Sequence, residues 1–318
     1  MELTLLGTGA GRPSRLRNVT SVALTLPQPR CSVWLFDCGE ATQHQLMRTP
    51  LKMSKVEAVF ITHMHGDHVN GLPGLLSSRS YHPGAGKLRL FGPEGIREYV
   101  QAVFRLTASH LDYELEITEL APGIVYEDEL YAVEADRLDH RVASWGYRIV
   151  EKDKPGALDS AKARSLGVPF GPQLGLLKQG QDITLDDGRV IRSSDVLGPA
   201  LPGRIVTILG DTTPCPAIVR LAKDADLLVH EATFEGAMAA KAKAYGHSTT
   251  LQAAAAAAEA GARRLVMTHF SSRYRDEDMP ALVAEARGIF AESYAGADLL
   301  TLPIPRQGEE ETGGYCLI

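Results

Sequence analysis

Short, nearly continuous apolar runs recur along the chain. They are LTLLG from Leu3, VALTL from Val22, VWLFD from Val33, VFITH from Val59, LRLFG from Leu88, IVTILGD from Ile205, LLVHE from Leu227 and LVMTH from Leu265. Runs of this length, rich in β-branched and aromatic residues, predict strands covered on both faces. Between them the spacing predicts helices near 41–48, 95–108, 217–222, 251–261 and 281–291, with Glu94 and Pro280 beside two of the starts. Strands interleaved with helices imply a layered α/β fold. The segments VFIT, TILG, LLV and LVMT end in His63, Asp211, His230 and His269 respectively. Such scaffolds carry chemistry at strand ends, where a rigid sheet holds the loops.

The stretch 152–204 breaks this pattern. It contains PGALD, GVPFGP, GLLKQG and DDG and shows no long periodicity. Such a stretch inside a 318-residue chain reads as an insertion with its own task, so we expect one domain over 1–318 carrying an inserted, flexible arm at 152–204. The most uniform apolar segment, Ala253–Ala258, is far too short to span a bilayer and is closed by Glu259 and Gly261. The N-terminus has no basic region followed by an apolar run, so no signal peptide is read and no membrane partner is expected.

Composition changes this picture little: 44% hydrophobic and 23% charged is ordinary for a globular protein. Cys31, Cys38, Cys215 and Cys316 are scattered without a C-x-x-C pair. That fits a reducing, cytoplasmic setting and argues against both a disulfide framework and a thiolate zinc site. The formal charge of −6 does not advertise a nucleic-acid binder, but its distribution is uneven. Between Glu2 and Asp37 the charges are Arg12, Arg15, Arg17 and Arg30; between Glu259 and Asp276 they are Arg263, Arg264, Arg273 and Arg275. Local positive stripes on an acidic protein can steer a polyanion to one place.

The segment Ile61–Gly71, ITHMHGDHVNG, supplies the chemistry. His63, His65, Asp67 and His68 put four metal donors in six residues. Imidazole and carboxylate without thiolate favour a catalytic over a structural divalent ion. Four donors on so tight a loop do not converge on one tetrahedral ion. Two adjacent ions are the natural solution, with further ligands from distant strand ends: His140 in LDHRVASWGY, Asp211 in LGDT and His269 in THFSSRY.

Together with LGTGAG, PSRLRN, FDCGEATQ, HEAT and GHST, these segments closely resemble the metallo-β-lactamase fold and, within it, the ribonuclease Z family of tRNA 3′-processing endonucleases. The resemblance covers nearly the whole chain and implies a four-layer αββα sandwich with the metals at the edge of two sheets. By position, His63, His65 and His140 would hold one zinc, and Asp67, His68 and His269 the other. Asp211 would bridge them, and Asp37 would support a ligand from behind. Two Zn²⁺ per subunit are implied, with Mn²⁺ as an alternative. Ala41 stands where the family has glycine, a matter of local backbone freedom.

The metals alone do not choose a substrate, since such a pair also serves esters, thioesters and lactams. His247 in YGHSTT and Glu231 in LVHEATF match the family's proton donor and its carboxylate partner. Ser248 and Thr249 also read as a cap for the alanine-rich helix, whose N-terminus would offer N–H groups to a phosphate. His230 reads as structural, and His44, His82 and His110 as ordinary. PSRLRN matches the family loop P-x-K-x-R-N with Arg15 for lysine; in relatives it lies near the cut and is linked to rejecting tRNAs that carry CCA. It offers Arg15, Arg17 and Asn18. The run LGVPFGPQLGLLKQG resembles the family's exosite, a hairpin-like projection that grips the tRNA elbow, here through Gly171, Pro172 and Lys178. A flexible insertion or a dimer contact is the plainer reading of the same arm. Arg273, with Tyr274, follows the last ligand and could meet RNA near the cut.

The resemblance thus implies a zinc-dependent endoribonuclease acting on precursor tRNA. Asp67 would position a water made acidic by the metals, and His247 with Glu231 would protonate the departing oxygen. A homodimer is implied, one subunit's arm holding the RNA cut by the other. The rivals are a small-molecule metallo-hydrolase of the same fold and an RNA-binding relic without catalysis.

Overall fold

The computed structural model describes residues 1–82 and 84–306. It divides into two compact units. The larger spans Met1–Val150 and Ile205–Pro305. Its first sheet contains β1 (Glu2–Gly7), β2 (Ser21–Thr25), β3 (Val33–Phe36), β4 (Val56–Phe60), β5 (Leu88–Gly92) and β6 (Leu115–Glu119) in spatial order, with Thr301–Pro303 on the outer edge beside β1. Its second sheet contains β7 (Gly123–Glu127), β8 (Tyr131–Leu138), β9 (Ser144–Glu151), β10 (Ile205–Leu209), β11 (Leu227–Glu231), β12 (Leu265–Thr268) and β13 (Ser293–Ala295), again neighbour to neighbour. Each sheet joins antiparallel pairs to a parallel half: β3–β6 in the first and β10–β13 in the second.

The apolar runs are continuous because both faces of these strands are covered. Trp34 and Phe36 of β3 and Phe60 of β4 face the second sheet, where Tyr147, Ile208, Val229 and Val266 meet them. Phe36, Phe60 and Phe91 stack in sequence, with centroids 4.9 and 4.8 Å apart. The alternate residues Leu35, Val59 and Leu90 face outward onto α1 (Thr42–Met47), α2 (Leu72–Arg79) and α3 (Ile96–Leu106). On the far side Leu209, Leu228, Leu265 and Met267 pack against α4 (Pro216–Ala222), α5 (Thr250–Ala260) and α6 (Met279–Arg287). The result is the αββα sandwich that the motifs imply.

The five expected helices form within a few residues of their expected bounds. The strands β6–β9 and helix α2 have no counterpart among the apolar runs. YAVEADRL in β8 alternates buried and accessible positions, so charged Glu134 and Asp136 interrupt the signal that a doubly covered strand would give. Among the described residues no helix is long and apolar enough to cross a membrane.

The second unit, Glu151–Arg204 with Arg306, has its own core of Ala163, Val168, Leu177, Ile183, Ile191 and Val196. Short helices Ser160–Ser165 and Pro172–Lys178 and the two-residue strands Ile183–Thr184 and Val190–Ile191 surround it. Elements this short cannot generate a readable period. At its base Glu151 is buried and accepts from Arg204 Nε at 2.6 Å and from Arg306.

The start of α1 contains Ala41 at φ 60°, the left-handed region that a Cβ disfavours by about 1–2 kcal/mol. Ala41→Gly removes that strain, partly offset by the freer unfolded chain, and should raise unfolding stability by about 1 kcal/mol. A denaturant midpoint unchanged or lowered in the variant would contradict this.

Candidate metal centre and proton donor

The site is assembled where strand ends of both sheets meet. Asp37 directly follows β3, and its φ of 59° turns its carboxylate back under the loop after β4. There it accepts from Thr62 N at 2.7 Å, Thr62 Oγ1 at 2.9 Å and His68 Nδ1 at 2.7 Å. Two glycines let the loops touch: a Cβ on Gly39 would lie 2.3 Å from Asp67 O, and one on Gly71 would lie 2.0 Å from Gly39 O. A single helical turn, Gly66–Val69, then carries Asp67 and His68. Asp67 Oδ2 accepts from Gly11 N at 2.7 Å.

One nitrogen of each of four imidazoles is tied to the protein. The Thr62 hydroxyl donates to Asp37, so it accepts from His63 Nδ1 at 3.0 Å. Thr233 Oγ1 donates to Glu231 Oε2 and likewise accepts from His269 Nδ1 at 2.9 Å. His140 Nδ1 donates to Gly246 O at 2.6 Å, and His68 Nδ1 to Asp37. With the proton fixed on Nδ1, each Nε2 is left to present a lone pair inward to a cation; at His68, although buried, the charges of Asp211 and Asp37 raise the pKa well above its usual value, so there a cation would displace a proton. Those lone pairs face one another: His63 Nε2 is 3.0 Å from His65 Nδ1, His140 Nε2 is 3.3 Å from the same atom, and His68 Nε2 is 3.3 Å from His269 Nε2. Asp211 lies between them, its Oδ2 3.6, 3.5 and 3.4 Å from Nε2 of His63, His68 and His269.

Convergent lone pairs and buried carboxylates are the donor set of divalent cations, and they fall into two groups. His63, His65, His140 and Asp211 form one; Asp67, His68 and His269 form the other; within each, every ligand atom lies within 4.8 Å of the rest. Asp211 is shared by proximity. His247 also approaches Asp211 and His269 closely enough to join a third such grouping. Its Nδ1, however, is bound to Glu231 Oε1 at 3.0 Å, which suits a proton carrier.

Glu231 is buried and saturated. Thr212 N and Ser248 N donate to Oε1, and Thr233 N and Oγ1 to Oε2. Burial opposes its charge, but the hydrogen bond and charge of His247 hold its pKa below the usual carboxylate range. The reciprocal effect acts on His247. Burial would lower the His247 pKa, yet the Glu231 hydrogen bond and charge, with Asp211, push it up to about 9.

The expected RNA contacts divide. Arg15 is exposed and, with Arg48, lines a cleft of about 290 Å³. Arg17 is 8% exposed; it donates to Thr8 Oγ1 and Gly296 O at 2.7 Å each and lies over Phe270. It braces the loop from inside and is withdrawn as an RNA contact. Asn18 is half-buried, its N bonded to Asp298 and its Nδ2 to Glu40 O. Ser248 is fully buried, with Oγ on Thr212 O, and is withdrawn too. The cap of α5 is Thr249, closed by Gln252 in a capping box. Because Ser248, Thr249, Thr250 and Gln252 N–H groups are already bonded, this helix N-terminus has little to offer a phosphate. Arg273 is exposed, over Phe234. In the second unit Gly171 and Pro172 open a short helix and Lys178 is exposed. His230 is buried and bonded through Nδ1 to Glu231 O, away from the metal donors.

Beyond Asp37 and Glu231, sequence reading missed the supporting residues. Thr62 and Thr233 sit beside recognised residues, THMHGDH and HEAT, and could have been suspected as proton-fixing partners. Asp298, which accepts from Thr8 Oγ1, Asn18 N and Gln45 Nε2, lies 280 residues from Asn18 and carries no local signal.

Comparison with known proteins gives the same direction. Residues 1–116 match the family model of the anti-Pycsar protein Apyc1. A ribonuclease Z of Listeria monocytogenes serotype 4b is 53% identical over 304 residues, covering 96% of this chain and 99% of that protein. The crystal structure of human tRNase Z, short form, superposes with a TM-score of 0.71 at 32% identity, covering 96% and 100% of the two chains. The metallo-β-lactamase fold protein YhfI from Bacillus subtilis aligns with a TM-score of 0.67 at 18% identity over 95% and 98%, a likeness of fold.

Replacing Asp37 by alanine frees the His68 ring and Thr62. Divalent-metal affinity should fall about 10–100-fold, read by competition with a chelator. Wild-type retention in this variant would remove Asp37 from the site's support.

Proposed function

The chain belongs to the ribonuclease Z family, and from that premise we propose how its site removes the 3′ trailer of precursor tRNA. It is a metal-dependent endoribonuclease that hydrolyses a phosphodiester bond in tRNA. The observation that carries the mechanism is the His247–Glu231 pair set beside two adjacent groups of metal donors.

We assign two Zn²⁺, or Mn²⁺ in their place, to the groups His63–His65–His140 and Asp67–His68–His269, with Asp211 between. When bound, the ions supply an acidified water and screen the phosphate charge. Asp67, fixed by Gly11 N, orients the attacking water through its carboxylate. The acidified water first yields one proton to solvent; as its oxygen bonds to phosphorus, the bond to O3′ breaks, His247 delivers its proton to that oxygen, and the imidazole regains a proton from solvent after product leaves. Glu231 keeps the imidazole protonated and aimed, and its own hydrogen bonds prevent it from swinging away. The products are tRNA with a 3′-hydroxyl and a trailer with a 5′-phosphate.

Arg15 and Arg273 remain as exposed contacts near the cut, and Gly171, Pro172 and Lys178 as arm contacts with the folded RNA. Phe170, 92% exposed beside Gly171, adds a face on which a base could stack. A homodimer in the cytoplasm, one arm serving the partner's site, belongs to the same proposal; the free thiols of Cys38 and Cys215 fit a reducing setting.

A general acid acts while protonated, so cleavage should fall as pH rises through the His247 pKa. Bound cations lower that value, so the alkaline limb of kcat/KM lies below about 9. In Glu231→Gln the limb moves to lower pH, because the neutral amide no longer holds the proton; an unmoved limb overturns the pairing. Deleting 155–196 should abolish pre-tRNA cleavage and spare a small chromogenic phosphodiester, whereas unchanged tRNA cleavage removes the arm from recognition.

A further inference from the structure

A cavity of about 830 Å³ lies away from the metal donors. It is a groove between α4 and α5 on the outer face of the second sheet, and it exists because α5 presents alanines where longer side chains would fill it. Pro216, Ile218 and Val219 form one wall, and Ala255, Ala256 and Ala260 the other. The volume is that of an ordinary small-molecule site.

His230 reaches this groove from beneath. Along β11 the residues alternate: Leu227 and Val229 face the inner core, Leu228 the outer helices, and His230 follows Leu228. The residue is 1% exposed. Its Nδ1 is spent as a donor on Glu231 O at 2.7 Å, which leaves Nε2 as an acceptor. Among the described residues nothing donates to that atom. Reaching the groove without a donor from the described residues, Nε2 is an acceptor available to a ligand N–H. At the groove's side Gln252 commits its Oε1 to Thr249 N, leaving its Nε2 as a donor without a partner among the described residues.

We propose that this groove is a second ligand site, for an uncharged planar heterocycle that carries an N–H next to an acceptor, as a nucleobase edge does. Apolar walls take the two ring faces, His230 Nε2 takes the N–H, and Gln252 Nε2 gives to the adjacent acceptor. Rim charges of both signs, Arg220 and Lys223 against Asp224 and Glu259, select no net charge. The site sits directly behind the cleavage centre. His230 donates to the backbone of Glu231, and Cys215 Sγ contacts Thr212, whose N–H supports the Glu231 carboxylate. None of its lining residues is a metal donor, so the proposal stands apart from the cleavage reading.

The test uses the full-length, metal-loaded protein with uridine and adenosine as probes, read by calorimetry and by ¹H–¹⁵N spectra of the histidine side chains. At least one nucleoside should shift the His230 Nε2 resonance. Its counterpart without the donor, 3-methyluridine or N6,N6-dimethyladenosine, should bind at least tenfold more weakly. Ala255→Trp, a change at the exposed lip that the fold can accept, should weaken binding at least tenfold and leave basal pre-tRNA cleavage unchanged. His230→Phe should do the same to binding. The site is refuted if neither nucleoside moves the Nε2 resonance at saturation, if the methylated analogues bind equally well, or if Ala255→Trp binds as the wild type does.

Discussion

The centre depends on one constraint: each imbedded imidazole must keep a lone pair free, so the proton has to be fixed on its other nitrogen. Four separate acceptors do this for His63, His68, His140 and His269, and they come from four separate segments. Thr62 and Thr233 act as relays, each passing its own proton to a buried carboxylate and thereby becoming an acceptor. Asp37 and Glu231 stand at the ends of those relays. The two carboxylates therefore set tautomers in the first and second sheets respectively, and neither sheet could build the centre alone.

Local strain follows from the same demand. Asp37 and His269 both hold left-handed backbone, at φ 59° and 58°, in positions where such geometry is unfavourable for a residue with a side chain. Each turns a functional group back toward the centre immediately after a strand. Gly39 and Gly71 complete the arrangement by letting two loops meet at backbone distance. Rigidity there is a requirement of the chemistry, since donor atoms must stay aligned before any ion arrives.

His247 and Glu231 divide the work differently from the metal ligands. Burial lowers the pKa of the candidate donors His63, His65 and His140, whereas the hydrogen bond and charge of Glu231 raise that of His247 against its burial. A facing carboxylate does not by itself separate the two roles: His68 is bonded to Asp37 and lies beside Asp211, and despite its burial their charges raise its pKa as well. The same Glu231 also explains why Ser248 turned inward. Its N–H is one of the bonds that immobilise the carboxylate, so a residue read as a contact with RNA serves the proton donor instead. Arg17 is a parallel case, a cation whose charge is used to brace Thr8 and the chain at Gly296.

The sequence by itself determined the doubly covered strands, the five helices and a set of candidate donors, the loop His63–His68 with His140, Asp211 and His269, which the structure brings together. Apolar continuity is imposed by burial on two faces, and donor chemistry requires particular side chains at strand ends, so both are written locally. Only the tertiary structure decided which arginine of PSRLRN faces outward, because burial of Arg17 depends on Phe270, Gly296 and Thr8 rather than on its neighbours. It also decided that His230 and Glu231, adjacent in LLVHE, serve opposite faces of one sheet. Period-two geometry sends successive side chains apart, but which face holds the metal donors and which holds the alanine-walled groove is fixed only when helices and sheets have packed.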